Sequence, residues 1–272
     1  MTDREKEIYE YAKQIFDEKK ESFDTYQYQC LGNYTERCVE LPWVATCINK
    51  YNINSILDVG FTFASHDYLR FMLDYSKKHL FIGTDIISPS RVKGRYPSQW
   101  WADIANVKVE INDISKKGLD VKEIDAVTII STLEHIGFDK ESGENEVSSF
   151  QRPKNMKDVD VIRADNIEDI VLDNVSISLK KEGLVLLSVP AGKGGPTILK
   201  DSMGYFACEW EYNRDSWNKI ISHRSFDCLE QRFFAQENGI WIEKTCIDKL
   251  KNYSAEMKSC ASAVAMCILR KK

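Results

Sequence analysis

Acidic residues stand at the ends of several apolar segments, where they would share one edge of a sheet. Asp58 and Asp85 close two such segments, Asp113 directly follows a third, and Glu134 and His135 come just after a fourth. A carboxylate at the end of a strand can accept the hydroxyl groups of a ribose. A histidine beside it can act as a general base. The pattern therefore predicts a cleft that holds a nucleoside-bearing cofactor next to a reacting group.

The residues after Asp58 are small at alternate positions, with Gly60, Thr62 and Ala64, before a helical pattern begins at Asp67. A tight turn from strand to helix leaves backbone N–H groups free at the helix start. Small residues let a polar cofactor approach that backbone closely. We expect this loop to form one wall of the cleft.

The elements that position these residues alternate along the chain. Apolar segments predict strands at 55–58, 80–85, 107–112, 124–131 and 183–190, with helices at 67–77 and 167–179 between some of them. Strands separated by helices are typical of parallel crossovers. We therefore predict an α/β fold with a doubly wound, mostly parallel sheet. Segments 232–236, 239–245 and 261–270 are expected to close it with an antiparallel C-terminal edge.

Two parts of the chain fall outside this alternation. Residues 1–50 predict an N-terminal helical cap: an amphipathic helix over 1–22, and a second helix capped by Thr35 and kinked or divided at Pro42. Residues 51–272 form the main domain, with insertions at about 137–165 and 191–227. Both insertions leave the carboxyl ends of strands, where open α/β sheets bind ligands. The second contains Tyr205, Trp210 and Tyr212, which we expect on the substrate side of the cleft.

Composition limits the partners. The 272 residues are 43% hydrophobic and carry a net charge of −5, so nothing indicates a nucleic-acid surface. Eight scattered cysteines without a Cys-x-x-Cys pair predict free buried thiols, and no His/Asp cluster predicts a metal site. No apolar run has membrane-spanning length and the start lacks a signal-peptide core, so we expect a cytoplasmic protein that does not bind a membrane.

The strand ends together resemble the class I S-adenosylmethionine-dependent methyltransferases over most of residues 53–190. Asp58 and Gly60 match the first motif, although Thr62 and Ala64 stand where later glycines usually lie. Asp85 corresponds to the ribose-binding acid, and residues 124–137 are similar to the strand-four signature. The resemblance implies a Rossmann-like methyltransferase fold and S-adenosylmethionine as cofactor. The implied cofactor contacts are Arg37, Asp58, Gly60, Phe61, Thr62, Asp85, Ile86, Asn112, Asp113, Ile114, Ser131 and Thr132.

A narrower likeness concerns residues 36–43 together with residues 131–137. These segments are similar to bacterial methyltransferases associated with capsule polysaccharide and surface-glycan biosynthesis. The likeness implies a small polar acceptor: a sugar, a nucleotide-sugar, or a phosphorylated amine or alcohol. Methyl transfer to either oxygen or nitrogen is consistent with it.

Several roles stay open at the level of sequence. His135 is either the general base or a structural histidine, and Glu134 either contacts the substrate or orients the cofactor. The rival functions are an NAD-dependent oxidoreductase, an aminopropyl transferase and a non-catalytic cofactor-binding protein. No Tyr-x-x-x-Lys pair stands near strand four to favour the oxidoreductase. The sequence leaves a homodimer open.

Overall fold

A computed structural model describes residues 1–24, 35–138, 163–194, 197–200, 206–250 and 261–272. Its helices are α1 (Asp3–Asp17), α2 (Arg37–Lys50), α3 (His66–Ser76), α4 (Trp101–Asn106), α5 (Ile167–Ser176) and α6 (Arg214–Ile221). The strands are β1 (Ser55–Val59), β2 (Leu80–Asp85), β3 (Lys108–Ile111), β4 (Ile124–Ile130), β5 (Leu179–Pro190), β6 (Thr197–Lys200), β7 (Phe206–Glu211), β8 (Phe226–Glu237), β9 (Ile240–Lys244) and β10 (Ala263–Lys271).

Eight of these strands form one sheet in the order β3-β2-β1-β4-β5-β10-β8-β9. The first five pair in parallel, so their carboxyl ends lie along one edge. β10 pairs antiparallel with both β5 and β8, and β9 completes a hairpin with β8 at the outer edge. The predicted doubly wound, mostly parallel sheet with an antiparallel C-terminal edge is confirmed.

Apolar side chains alternate between two layers because successive residues of a strand point to opposite faces. In β1, Ile56 belongs to one buried cluster and Leu57 to the other. The first cluster contains side chains from α1, α2 and α3, and the second contains side chains from α5 and α6. Helices therefore cover both faces of the sheet. A site can then form at the edge where the carboxyl ends of the parallel strands meet.

Helix α2 differs from its prediction. It is continuous from Arg37 to Lys50, with Glu36 rather than Thr35 at its start, and Pro42 lies inside it. The predicted division at Pro42 is wrong. Proline removes one backbone hydrogen bond from a helix. Every residue from Cys38 to Ile48 is buried, so packing on all sides holds the helix together despite that loss.

The boundary between α5 and β5 also differs. The helix ends at Ser176 instead of residue 179, and β5 already begins at Leu179. The residues that were expected to form a turn before the strand are part of β5 and make it irregular. Glu182 has a φ of 62°, and the pairing of β4 with β5 shifts register nearby. β10 was expected near the edge but lies inside the sheet, between β5 and β8.

The second insertion contains more regular structure than predicted. In it, β6 and β7 pair as an antiparallel ribbon and α6 follows. Trp217 of α6 is 1% exposed and belongs to the core. Residues 139–162 of the first insertion lie outside the described part. Among the described cysteines, Cys38, Cys47 and Cys267 are buried free thiols, whereas the free thiols Cys228 and Cys246 are half-buried. No helix in the described ranges combines the length and apolarity needed to span a membrane.

Candidate cofactor and acceptor site

The turn after β1 requires glycine. Gly60 has a φ of +89°, in the left-handed region that side-chain-bearing residues rarely adopt. A Cβ atom there would lie 2.6 Å from Oγ1 and Cγ2 of Thr132, which follows β4. The Gly60 N–H donates to the carbonyl of Thr84 at 2.9 Å. The turn therefore brings the ends of β1, β2 and β4 into direct contact.

Asp85, at the end of β2, fixes the residues that follow this turn. Its Oδ2 accepts a hydrogen bond from the Thr62 N–H at 3.0 Å, and its Oδ1 accepts one from the Ile87 N–H at 3.3 Å. The Thr62 hydroxyl donates to the Ile87 carbonyl at 2.7 Å, and the Tyr96 hydroxyl donates to the Thr62 carbonyl at 2.8 Å. Burial raises the pKa of the Asp85 carboxyl, although these backbone bonds oppose that shift.

The residues beyond β2 and β3 shape the next part of the edge. Ile86 is 45% exposed although it is apolar, while Ile114 is buried. The Asn112 N–H donates to the Asp85 carbonyl at 2.9 Å, which joins the two strand ends. Asp113 accepts bonds from the N–H and hydroxyl of Ser115 at 3.1 and 2.5 Å. Burial disfavours its charge, but the bonds to Ser115 and Lys116 outweigh burial and lower its pKa.

Asp58 is placed inside the fold behind the turn. It is 2% exposed, and its Oδ1 accepts hydrogen bonds from the Tyr68 hydroxyl at 2.7 Å and the Thr128 hydroxyl at 2.6 Å. Burial raises its pKa to about 7. The carboxyl therefore links β1, α3 and β4, and its observed partners are protein groups.

The end of β4 carries a strained residue. Ser131 has a φ of 43°, which costs about 1–3 kcal/mol for a residue other than glycine. Its N–H donates to the Ser188 carbonyl at 3.1 Å, and its hydroxyl donates to Oε1 of Glu40 at 2.7 Å. The chain then forms a short 3-10 turn, Leu133–His135. This conformation brings the residues after β4 next to the start of α2.

Glu134 and His135 lie side by side in that turn. Glu134 is 2% exposed, and the side chain of His135 is 22% exposed. The His135 Nε2 and Glu134 Oε1 atoms are 3.9 Å apart. The imidazole is thus partly exposed, with the Glu134 carboxyl beside it.

Arg37, at the start of α2, is held against the same edge. Its Nη1 donates to Glu40 Oε2, its Nε donates to the Ser65 hydroxyl at 3.0 Å, and its guanidinium lies 5.9 Å from the centre of the Tyr68 ring. The ion pair with Glu40 is the helix pair expected at a spacing of three residues. Arg37 therefore joins α2 to the loop before α3.

The second insertion packs over the turn after β4 through β7. Tyr212 is fully buried, and its hydroxyl donates to Oε1 of Glu168 at 2.8 Å and accepts from Nη2 of Arg163 at 2.9 Å. Trp210 is partly exposed and lies 5.3 Å from the Arg163 guanidinium. Arg163 also donates to the Leu133 carbonyl at 3.1 Å, so this network fixes the turn. Tyr205 lies outside the described residues.

Sequence reasoning missed the groups that hold the site in place. Tyr68, Thr128 and Tyr96 carry no motif, and only the fold brings them to Asp58 and Thr62. Glu40 stands in the segment 36–43, but no sequence signal linked it to Ser131, which is 91 positions away.

The observed edge fits an adenosine-bearing cofactor. Asp85 accepts one hydrogen bond within 3.3 Å on each carboxylate oxygen, and a carboxylate has about four lone-pair positions. Ile86 offers an exposed apolar surface beside it. Gly60 lets the turn lie directly against Thr132, because a side chain at this position would clash with it.

No protein-family model matches this sequence, and no curated protein matches it at the level of sequence. Solved structures resemble the fold. The 1,6-didemethyltoxoflavin-N1-methyltransferase of Burkholderia thailandensis, bound to S-adenosylhomocysteine, is 11% identical with a TM-score of 0.49, over 84% of this chain and 76% of that one. A SAM-dependent methyltransferase of Methanosarcina mazei is 12% identical with a TM-score of 0.48, over 82% and 96%. The N-methyltransferase NodS of Bradyrhizobium japonicum is 10% identical with a TM-score of 0.46, over 93% and 95%. At these identities the likeness describes the fold alone.

Proposed function

We propose that this protein is an S-adenosylmethionine-dependent methyltransferase that acts on oxygen or nitrogen of a small polar acceptor. The observation that carries the proposal is the junction of Gly60, Asp85 and Thr132 at one sheet edge. Gly60 needs its left-handed backbone there, and Asp85 stands at the end of β2 with one hydrogen bond within 3.3 Å on each carboxylate oxygen. The same acid also suits NAD, so the function rests on a test that separates the two cofactors.

Different residues of the sheet edge would contact different parts of the cofactor. Asp85 would accept the ribose hydroxyls, and Ile86 would pack against the adenine ring. Asn112 and Asp113 stand on the adenine side, while Arg37, Ser131 and Thr132 stand on the side of the methionine moiety. S-adenosylmethionine, when bound, supplies a methyl group for in-line displacement, so alignment and exclusion of water account for much of the catalysis.

His135 is the proposed general base. It is partly exposed just beyond β4, and a neutral imidazole there can take a proton from an acceptor hydroxyl or ammonium. Glu134 and Trp210 would line the acceptor side. Tyr212 would act through the Arg163 network, since its hydroxyl is engaged in the interior.

We propose a sugar, a nucleotide-sugar or a phosphorylated amine or alcohol from surface-glycan synthesis as the acceptor class. Its support is the sequence likeness in residues 36–43 and 131–137, and the placement of those two segments together through Glu40 and Ser131. We also propose a cytoplasmic enzyme, because its small precursors would be found there.

Transfer of a labelled methyl group tests the function. Purified protein is incubated with S-adenosylmethionine labelled in its methyl group and a panel of sugars, nucleotide-sugars, phospho-amines and phospho-alcohols. We expect label in one acceptor class and a matching amount of S-adenosylhomocysteine. Label in no acceptor, together with no binding of S-adenosylhomocysteine, would contradict the proposal.

A further inference from the structure

Four glutamates from three parts of the fold lie within electrostatic range of one another near Ser131. They are Glu36 before α2, Glu40 within α2, Glu134 after β4, and Glu209 in β7. Glu40 accepts the Ser131 hydroxyl bond at 2.7 Å. Glu134 interacts electrostatically with Glu209 and Glu40, and Glu36 does so with Glu40 and Glu209. We call these four residues the glutamate cluster.

The guanidinium groups of Arg37 and Arg163 lie near the cluster and form ion pairs with glutamates. Arg37 forms an ion pair with Glu40 and also interacts electrostatically with Glu36 and Glu134. Arg163 reaches the Leu133 carbonyl, but it pairs with Glu168 outside the cluster. Arg37 therefore faces three of the four glutamates of the cluster.

Glu134 carries a buried carboxyl oxygen without a hydrogen-bond partner among the described residues. It is 2% exposed, and its Oε2 has no hydrogen-bond partner within the described part of the chain. The Oε2 of Glu36 is also buried without a partner, although Glu36 itself is partly exposed. A buried carboxyl oxygen without a partner is costly unless a proton or a cation meets it. Burial, followed by repulsion from Glu209, raises the pKa of Glu134.

The cluster adjoins the cofactor edge on the acceptor side. Glu134 comes two residues after Thr132, whose side chain contacts the Gly60 turn. Glu36 is a partly exposed member of the cluster, and His135, next to Glu134 in the chain, is also partly exposed. Among the described side chains, no group of His, Cys, Asp and Glu is arranged to hold a metal ion.

We propose that the glutamate cluster binds the ammonium group of the acceptor, with Glu134 as its counter-ion, so that the enzyme methylates a small amine. This inference rests on the proposed function, and it narrows the acceptor from oxygen or nitrogen to nitrogen. It also places any phosphate of the acceptor away from the cluster, because like charges repel there.

Matched amine and alcohol probes test the inference. They are ethanolamine and ethylene glycol, putrescine and butanediol, and glucosamine and glucose. Thermal unfolding of the protein saturated with S-adenosylhomocysteine is measured over a range of each probe. We expect at least one amine to raise the Tm more than its alcohol partner. In Glu134→Gln, its apparent affinity should fall about tenfold or more, because a charge-assisted contact is lost.

Glutamine has the shape and hydrogen-bonding groups of a protonated glutamate, so this variant separates the two states of Glu134. An amine affinity that is unchanged in Glu134→Gln would show that the neutral acid is sufficient and would overturn the inference. Glu243→Gln, at the β8–β9 hairpin, is the matched control and should bind the amine like the wild type. If Glu134→Gln does not fold, Glu36→Gln takes its place with the same expectation.

Other outcomes are also decisive. The inference is overturned if no amine exceeds its alcohol partner, or if magnesium chloride reproduces the shift and Glu134→Gln abolishes it. Failure of S-adenosylhomocysteine to raise the Tm would instead contradict the proposed function. The amines are then tested on the protein alone, where a shift sensitive to Glu134→Gln would retain a cation site without methyl transfer.

Discussion

Replacement of Asp85 by asparagine tests the cofactor site through a single carboxylate. Its two oxygens accept the Thr62 and Ile87 N–H groups at 3.0 and 3.3 Å, and the ribose hydroxyls would bind the same two oxygens. Asparagine removes the charge and converts one oxygen into a donor. One ribose hydroxyl and one backbone N–H then lose their acceptor.

A hydrogen bond to a charged group contributes about 1.5–3 kcal/mol. Asp85→Asn should therefore weaken S-adenosylhomocysteine binding by roughly 10- to 150-fold, measured by titration calorimetry. Loss of the loop anchor at Thr62 adds to the effect in the same direction. Circular dichroism should show that the variant is folded.

Asp125→Asn is the matched control. The Asp125 carboxylate also accepts two backbone N–H groups, from Asn54 at 2.8 Å and Ser55 at 3.0 Å, but it lies at the opposite edge of the sheet. This variant should lose stability and keep its affinity for the cofactor product. Affinity within twofold of wild type in a folded Asp85→Asn, or an equal loss in both variants, would refute the ribose assignment.

Three further predictions address the turn, the buried acid and the base. Gly60→Ala should lower the free energy of unfolding by about 1–3 kcal/mol in urea denaturation, because position 60 has a positive φ and the new Cβ atom would clash with Thr132. Gly94→Ala is the control and should leave the free energy of unfolding unchanged, because the space around its Cβ atom is open. Burial raises the pKa of Asp58 to about 7, above its unfolded value of about 3.9, so the folded state holds this proton more tightly than the unfolded state. The free energy of unfolding should therefore fall as the pH rises between these two values, by at most about 1.4 kcal/mol per pH unit. Asp58→Asn should flatten that dependence in urea denaturation at several pH values, and an unchanged slope would contradict the assignment. His135→Asn should reduce kcat by about 10²–10⁴ with little change in cofactor affinity, and activity within a few-fold of wild type would make the histidine structural.

The sequence predicted the sheet well because apolar periodicity follows directly from burial. The predicted strands match β1 to β4 within one or two residues, since β1, β2 and β4 are short, largely apolar runs and β3 alternates apolar with polar residues. The parallel pairing of the strands and their shared edge followed from the alternation with helices. The position of β10 did not, because pairing between distant segments leaves no local signal.

The candidate site was predictable where a residue acts through its own type and position. Gly60 and Asp85 could be found this way because a tight turn and a strand-end acid have local signatures. The partners of Asp58 and the approach of Glu40 to Ser131 depend on contacts across the fold. The predicted division of the helix at Pro42 failed because helix propensity takes no account of the packing that surrounds α2.

Titration of the wild-type protein with S-adenosylmethionine and, separately, with NAD tests the central claim most directly. Calorimetry should show saturable binding of one S-adenosylmethionine per chain and no heat of binding for NAD. S-adenosylhomocysteine should compete for the same site. Binding of NAD, or binding of neither cofactor by a folded protein, would contradict the assignment of this sheet edge to S-adenosylmethionine.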